Sequence, residues 1–447
     1  MTWFMEHIEN LGDRPSIIDS HGEYCYSDLA LQIKQYHRDI TGTIQAGDIV
    51  ALQTDYNFYS IALMIALLKH KAIIVPIVSS NDDEISSRIK VADCNWVLKL
   101  NGQELVSNRI SDKTERHELV GSLISNDHAG LILFSSGTTG EPKAMIHNFD
   151  HLVDSFIGKR IKKLNMLVFL MFDHIGGLNT LLNTLSMGAQ IVLPENRNPE
   201  HVATLIEKHK VHVLPSTPTF LNMMLMAKVN EKFDLKSLKM ITYGTETMPE
   251  SVLLNLKRTF PRTRLMQTFG TSETGIAKTT SRSSDSLEIK LDDPNTEYKI
   301  VNNELWLRSK TQVMGYLNAD MSSFTSDGWF QTGDLVEVFD DNFIKIVGRS
   351  KEVINVGGEK VLPAEVESII LELDIVGDCM VYAEKNSITG QMVAVQIVLS
   401  TEIEEKEAKK LIRSYCKSRL DTYKVPVKFK FSDNTKVGSR FKKLRLQ

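Results

Sequence analysis

At 447 residues the chain is too long for one ordinary core, and roughly 150 residues per domain suggests about three folding units. Its 42% hydrophobic and 24% charged residues are those of a soluble globular protein, and the net charge of -4 shows no bias towards nucleic acid. Basic residues gather only over 436–445, without an aromatic stacking surface or basic stripe, so this stretch reads as a solvated last element and no nucleic-acid partner is expected. Cys25, Cys94, Cys379 and Cys416 are scattered with no C-x-x-C spacing, which argues against structural zinc and a disulfide framework and makes a cytoplasmic, reducing compartment the expectation. The start, Met1-Thr2-Trp3-Phe4-Met5-Glu6-His7, lacks the basic opening and apolar core of a signal peptide.

In chain order, residues 26–39 have helical periodicity after Ser27, a candidate cap. Gly47-Asp48 leads into the apolar strand 49–52, 58–68 reads as a buried helix, and 72–75 as a buried strand. The apolar stretch 61–78 is broken by Lys69-His70-Lys71 and Pro76, too interrupted for a bilayer that needs about 20 apolar residues, so no membrane span is expected. Similar alternation recurs at 166–172, 178–187, 191–193, 202–209 and 211–214. Short apolar strands separated by helices of about 10 to 15 residues predict parallel sheets. From Tyr298 the texture changes: 298–301 and 304–308 flank Asn302-Asn303, and 336–339 and 343–347 flank Asp340-Asp341-Asn342, predicting hairpins in a small β subdomain of about 298–348. A compact α+β unit of about 100 residues follows. The expected fold class is α/β: a large N-terminal domain, 1–348, with parallel-rich sheets flanked by helices plus the β subdomain, and a small mobile α+β C-terminal domain, 349–447.

The strand-like Leu131-Ile132-Leu133-Phe134 runs into Ser135-Ser136-Gly137-Thr138-Thr139-Gly140-Glu141-Pro142-Lys143. Glycines let the backbone turn sharply and approach a ligand, hydroxyls add donors, and Lys143 supplies a positive charge suited to phosphate. A Walker loop requires G-x-x-x-x-G-K-[ST]; here Gly137 and Gly140 are too close and Lys143 follows Pro142, so that reading fails on spacing. A Ser/Gly-rich surface turn is the plain alternative for the composition alone.

The order of residues resembles the signature loop T-S-G-T-T-G-x-P-K-G of the acyl-adenylate-forming superfamily, which includes acyl- and aryl-CoA ligases, peptide-synthetase adenylation domains and luciferases. Ser135 replaces the first Thr and Ala144 the last Gly. Further matches follow in order. Gln267-Thr268-Phe269-Gly270-Thr271-Ser272-Glu273 is similar to Y-G-x-T-E, and Glu304-Leu305-Trp306 through Gly315-Tyr316 to G-E-L-W-x-R…G-Y. Trp329-Phe330-Gln331-Thr332-Gly333-Asp334 matches W-x-x-T-G-D, and Gly348-Arg349-Ser350-Lys351-Glu352 with Gly357-Gly358 matches the hinge and the core after it.

The resemblance implies that ATP activates a small carboxylic acid as an acyl-adenylate, releasing pyrophosphate, and that a thiol acceptor, CoA or the phosphopantetheine of an acyl carrier protein, then takes the acyl group. It assigns the outgoing phosphates to Ser135, Ser136, Gly137, Thr138, Thr139, Gly140 and Lys143. Thr271 and Ser272 would meet the α-phosphate, and Glu273 would hold Mg²⁺, a hard cation that prefers oxygen ligands. Asp334, supported by Arg349, would bind the ribose. Phe269 and Gly270 would form one adenine wall and Gly244, Thr245 and Glu246 the other, although Tyr243-Gly244-Thr245-Glu246 departs from the usual G-G-A pattern. His174 in Phe172-Asp173-His174-Ile175-Gly176-Gly177 would border the acyl pocket. Ile175 stands where amino-acid-activating domains carry Asp, which argues against an amino-acid substrate, with Asp173 one position early. Lys351 would be the hinge, and Gly357-Gly358 would line the thiol channel.

The tail breaks the pattern. The family's T-x-x-G-K-x-x-R lysine falls on Ser439, leaving Arg440, Lys436 or Lys442 to take its place, with Arg440 expected to matter more than Lys442 or Lys443. A degenerate homologue that binds nucleotide or acyl-adenylate without turnover is the competing expectation. Phe220, Met223 and Met224 suggest an apolar element near the acid. The sequence leaves the acid's identity and the oligomeric state open.

Overall fold

The computed structural model describes residues 2–135 and 142–433 together with Thr435, Gly438 and Lys443. Among these residues two seven-stranded sheets carry the N-terminal part. The first runs in the order Arg264–Gln267, Met240–Tyr243, Val213–Ser216, Asn165–Leu167, Gln190–Val192, Pro15–Asp19, Gly22–Cys25, parallel throughout except for the last hairpin. The second runs Gly315–Tyr316, Lys143–Asn148, Gly130–Ser135, Ile73–Ile77, Ile49–Gln53, Trp96–Asn101, Glu104–Arg109, with parallel strands at its centre and antiparallel ones at its edges.

One core joins both sheets through the helices Tyr26–Ile40, Phe58–Lys69 and Ile175–Ser186. The second of these is apolar all round and buried from Ser60 through Leu68, as a helix between two layers must be. Asn57 caps it, its side-chain oxygen accepting from Ser60 N at 2.8 Å. The helix at 26 corrects the expected cap. Its N-cap is Cys25, because Asp28 reaches back to accept from Cys25 N at 2.8 Å, while the Ser27 hydroxyl donates instead to Asp13 at 2.9 Å.

The β subdomain is a six-stranded antiparallel sheet in the order Thr279–Ser281, Glu288–Leu291, Ile344–Arg349, Phe330–Val338, Glu304–Ser309, Thr296–Val301. Both hairpins fall where their turn residues place them: Asn302 and Asn303 have φ of 51° and 63°, and Asp341 and Asn342 of 57° and 61°. The sheet begins earlier than residue 298, because 288–291 is a strand with Ile289 buried against Leu305 and Val336.

The C-terminal part is a five-stranded sheet built on the long hairpin Val376–Asn386 and Gly390–Leu399, packed by helices Pro363–Ile370 and Glu405–Arg419. It seats on helix Pro218–Met226: Asn222 Nδ2 donates to Gly377 O at 3.0 Å, and Met226 packs where a side chain on Gly377 would stand. Among the described residues no helix is long and apolar enough to cross a membrane.

Candidate active site

The parallel strands of the first sheet end together at Ser216, Tyr243 and Gln267, and a cavity of about 1240 Å³ opens beyond those ends. Ligands of open α/β sheets sit outside the carboxyl ends of the strands, where backbone leaves the ladder and side chains converge. The chain turns here under tight steric control. A Cβ on Gly244 would stand 2.7 Å from the Thr268 carbonyl oxygen, and Thr245 adopts the left-handed φ of 72°. The hydroxyls of Ser216 and Thr245 are buried and meet no hydrogen-bond partner among the described residues. Both residues line the cavity, and Glu246 beside them accepts from the Thr219 hydroxyl at 2.8 Å.

Asp334 is the most constrained acid of the site. It is 4% exposed and stands in register with Arg349 across two strands of the β subdomain. Arg349 Nε donates to its Oδ1 at 3.0 Å, and its backbone N–H donates to the Thr332 hydroxyl at 3.0 Å. Gly333, at φ 73°, donates its N–H to Glu304 at 2.9 Å, which fixes the turn. Asp334 Oδ2 has no partner among the described residues and faces the cavity. Burial pushes the carboxyl pKa up, against the pull of Arg349, so an incoming pair of hydroxyl donors would relieve a real cost.

Ser135 and Lys143 stand opposite each other at the end of an antiparallel pair, and both line the cavity. Ser136, Gly137, Thr138, Thr139 and Gly140 lie outside the described residues. Lys143 Nζ sits 5.4 Å from the Tyr316 ring centroid, and the Tyr316 hydroxyl donates to Glu273 at 3.2 Å. Burial and then the Glu273 charge raise the Tyr316 pKa, so this phenol stays a donor. Glu273 occupies the turn between Phe269–Thr271 and Gly275–Ala277; Ser272 lines the same wall, and the Thr271 hydroxyl bonds that of Thr274 at 2.9 Å. A Cβ on Gly270 would come within 2.4 Å of the Gly275 carbonyl oxygen, so glycine is required for the hairpin to close. Phe269 is buried in the β subdomain core and also lines the cavity.

For magnesium, the described residues offer no group of three or more His, Cys, Asp or Glu side chains. One carboxylate beside hydroxyls fits a cation that keeps its waters and takes its other oxygens from substrate phosphates.

His174 is placed by local structure. It caps helix Ile175–Ser186, its Nδ1 accepting from Gly176 N at 3.1 Å, and it lines the cavity. Asp173 before it is 3% exposed and bound by Arg88 Nη1 at 2.7 Å. Arg88 also pairs with Glu84 and lies 5.5 Å from the Phe134 ring centroid. This buried pair ties the strand leading to Ser135 to the segment leading to His174, and it engages Asp173 away from any substrate amine. Sequence reasoning missed it, since Arg88 lies in no motif and its partner Asp173 is 85 positions away.

Lys351 and Glu352 line the cavity from the short turn Ser350–Glu352. Gly357 and Gly358 do not. They form the exposed two-residue turn of the hairpin Ile354–Val356 and Glu359–Val361, with φ of 64° and 100°. Arg440 and Ser439 lie outside the described residues. Lys443, ranked low from sequence, is buried at the cavity wall: its Nζ pairs with Asp378 at 2.9 Å and donates to Cys379 O at 2.6 Å. Burial alone would favour the neutral amine, but Asp378 and Glu367 outweigh it and hold the charge. Phe220 and Met224 are core residues, and the same helix gives the cavity Thr219 and Asn222 instead.

This fold and this cavity define a two-domain adenylate-forming enzyme. The chain matches the AMP-binding enzyme family over residues 4–317 and the AMP-binding enzyme C-terminal domain over 365–438. It belongs to that family and is an adenylate-forming acid–thiol ligase. It is 29% identical over 341 residues to 2-succinylbenzoate–CoA ligase of Bacillus licheniformis, covering 71% of this chain and 69% of the relative. The protein of that name from Staphylococcus epidermidis is 24% identical over 450 residues, covering 96% of this chain and 93% of its own. Among solved structures, the anthranilate CoA ligase AuaEII in complex with anthranoyl-AMP superposes with a TM-score of 0.83 at 18% identity, covering 98% of this chain and 95% of that one.

Proposed function

We propose that the cavity binds ATP with its ribose on Asp334 and its phosphates between Ser272 and Lys143, and that it joins a carboxylic acid to AMP before passing the acyl group to CoA. The buried Asp334 Oδ2 beside Arg349, without a partner among the described residues, carries the nucleotide assignment, since a ribose hydroxyl would supply the donor it lacks. In the first half-reaction a carboxylate oxygen bonds the α-phosphorus and the bond to the pyrophosphate oxygen breaks. Two anions must approach, so the residues' work is to orient and neutralise. Lys143 supplies positive charge to the leaving phosphates, and the Ser272 hydroxyl donates to an α-phosphate oxygen. Glu273 would hold Mg²⁺ against those oxygens, adding charge neutralisation. Gly244, Thr245 and Glu246 face Phe269 and Gly270 across the base. In the second half-reaction a thiol attacks the acyl carbonyl and AMP departs; the same chemistry serves a pantetheine borne on a carrier protein.

Because Gly357 and Gly358 stand at an exposed hairpin, their part in a thiol channel requires the C-terminal unit to turn about Lys351. The domain boundary at 348/349 belongs to the same proposal. Four free cysteines accord with a reducing, cytoplasmic setting. Exchange of labelled pyrophosphate into ATP, tested across a panel of acids, is expected to depend on acid. ATP binding with no exchange for any acid would overturn the reading.

A further inference from the structure

The cavity does not stop at the nucleotide end. Residues on alternate positions of a strand share a face, and register aligns Met166 with Val213 and Val213 with Met240 in one row, and Pro215, Thr242 and Met266 in a second. All six line the cavity, forming a floor of two successive rows. The roof is the helix Ile175–Ser186. Its Gly176, Asn179, Thr180 and Asn183, with Met187 just beyond, lie on one stripe, so the passage follows the whole helix, about 18 Å at 1.5 Å per residue. The far mouth is lined by Lys159, Arg160 and Lys162, exposed residues with no ion-pair partner among the described residues. No described residue along this arm is acidic. Half way, the amides of Asn179 and Asn183 have no hydrogen-bond partner in the described structure, whereas the Thr180 hydroxyl is committed to Gly176 O at 2.8 Å.

We propose that the acid activated here is elongated, lies along this helix with hydrogen-bonding groups in its middle, and carries a second anionic group that meets Lys159, Arg160 and Lys162. This rests on the reading that the cavity holds an acyl-adenylate, because the nucleotide end sets where the reacting carboxylate must be. A purely aliphatic acid would leave the Asn179 and Asn183 amides unsatisfied, which a site of this kind penalises. A short acid would leave the distal rows empty.

The test uses the full chain and two readouts. The first is acid-dependent pyrophosphate exchange with α,ω-dicarboxylic acids from adipic to tetradecanedioic, against monocarboxylic acids of matched length. The second is calorimetric binding of dodecanoyl- and dodecanedioyl-sulfamoyl adenosine, which needs no turnover. A long dicarboxylate should be preferred about tenfold, and the combined variant Lys159→Glu, Arg160→Glu, Lys162→Glu should abolish that preference while altering the monocarboxylate less than about twofold. High salt should shrink the preference in the same direction. Equal treatment of both acids in both readouts overturns the proposal, as does a rise in KM for CoA in place of the acid. If exchange is absent but the carboxylate-ended adenosine binds tighter, the channel assignment stands and the ligase reading falls.

Discussion

At the nucleotide end the side chains are tied to the fold before any ligand arrives: Arg349 holds Asp334, Glu304 holds the Gly333 turn, and Tyr316 holds Glu273. Along the channel three of the six floor residues are methionines, and the roof carries two asparagine amides with no hydrogen-bond partner among the described residues. On the proposed reading the first region is preorganised for its nucleotide, since fixed dipoles and charges stabilise developing charge without reorganising. The second is lined by adaptable groups, because a flexible thioether accommodates irregular shapes. On the proposed reading, nucleotide chemistry thus sits on hairpins tied by hydrogen bonds, and choice of acid on one face of a parallel sheet.

The largest effect is expected at the seam between these regions. Arg88→Met strands the buried Asp173 carboxylate and should cost about 3–5 kcal/mol in urea unfolding. It should also lower activity on every acid, since both the Ser135 strand and the His174 cap depend on the pair. Loss with one acid only would assign Arg88 to the channel.

Next comes His147, fully buried on the strand that Lys143 begins, where burial lowers its pKa from 6.5 to about 4. The unfolded chain therefore binds the extra proton first. Stability is fully present above pH 6.5 and falls as pH drops towards 4, by up to about 3 kcal/mol from this group. Urea melts at pH 7 and pH 4.5 should show it, and His147→Leu should reduce the difference. An unchanged difference would remove His147 from the account.

Asp334→Ala is expected to raise KM for ATP on the order of a hundredfold, equivalent to about 2–3 kcal/mol, with KM for the acid unchanged. A matching rise for the acid would erase the distinction between the two ends. The smallest effect is that of His174→Ala: loss of the cap costs about 1 kcal/mol in stability. Its kinetic effect should fall on the acid, not on ATP, as measured by separate KM determinations.

Much of the proposed nucleotide end has turns that were legible in the linear chain because its parts are short and local. Thr332-Gly333-Asp334 forms a turn whose hydrogen bonds close within a few residues, and Asn302-Asn303 sets a hairpin by its own backbone preference. Residues whose meaning depends on distant partners were not legible. Arg88 and Asp173 are 85 positions apart; Lys443 meets Asp378 across 65 positions of chain. The methionines illustrate the limit. Met223 and Met224 follow each other on a helix with Phe220, yet Met224 fills the core, whereas Met240 and Met266 line the cavity because their strands align them with Val213 and Thr242 in register.

By itself the sequence determined the family, the alternation of strands and helices that predicts parallel sheets, and the two hairpin turns of the β subdomain, since each is carried by contiguous motifs and local periodicity. Tertiary structure alone decided that one face of the first sheet borders the cavity, and that Lys159, Arg160 and Lys162 line the same cavity. The reason is physical. A strand's two faces are fixed by alternation, but which face meets a helix and which meets empty space depends on the packing of elements far apart in the chain.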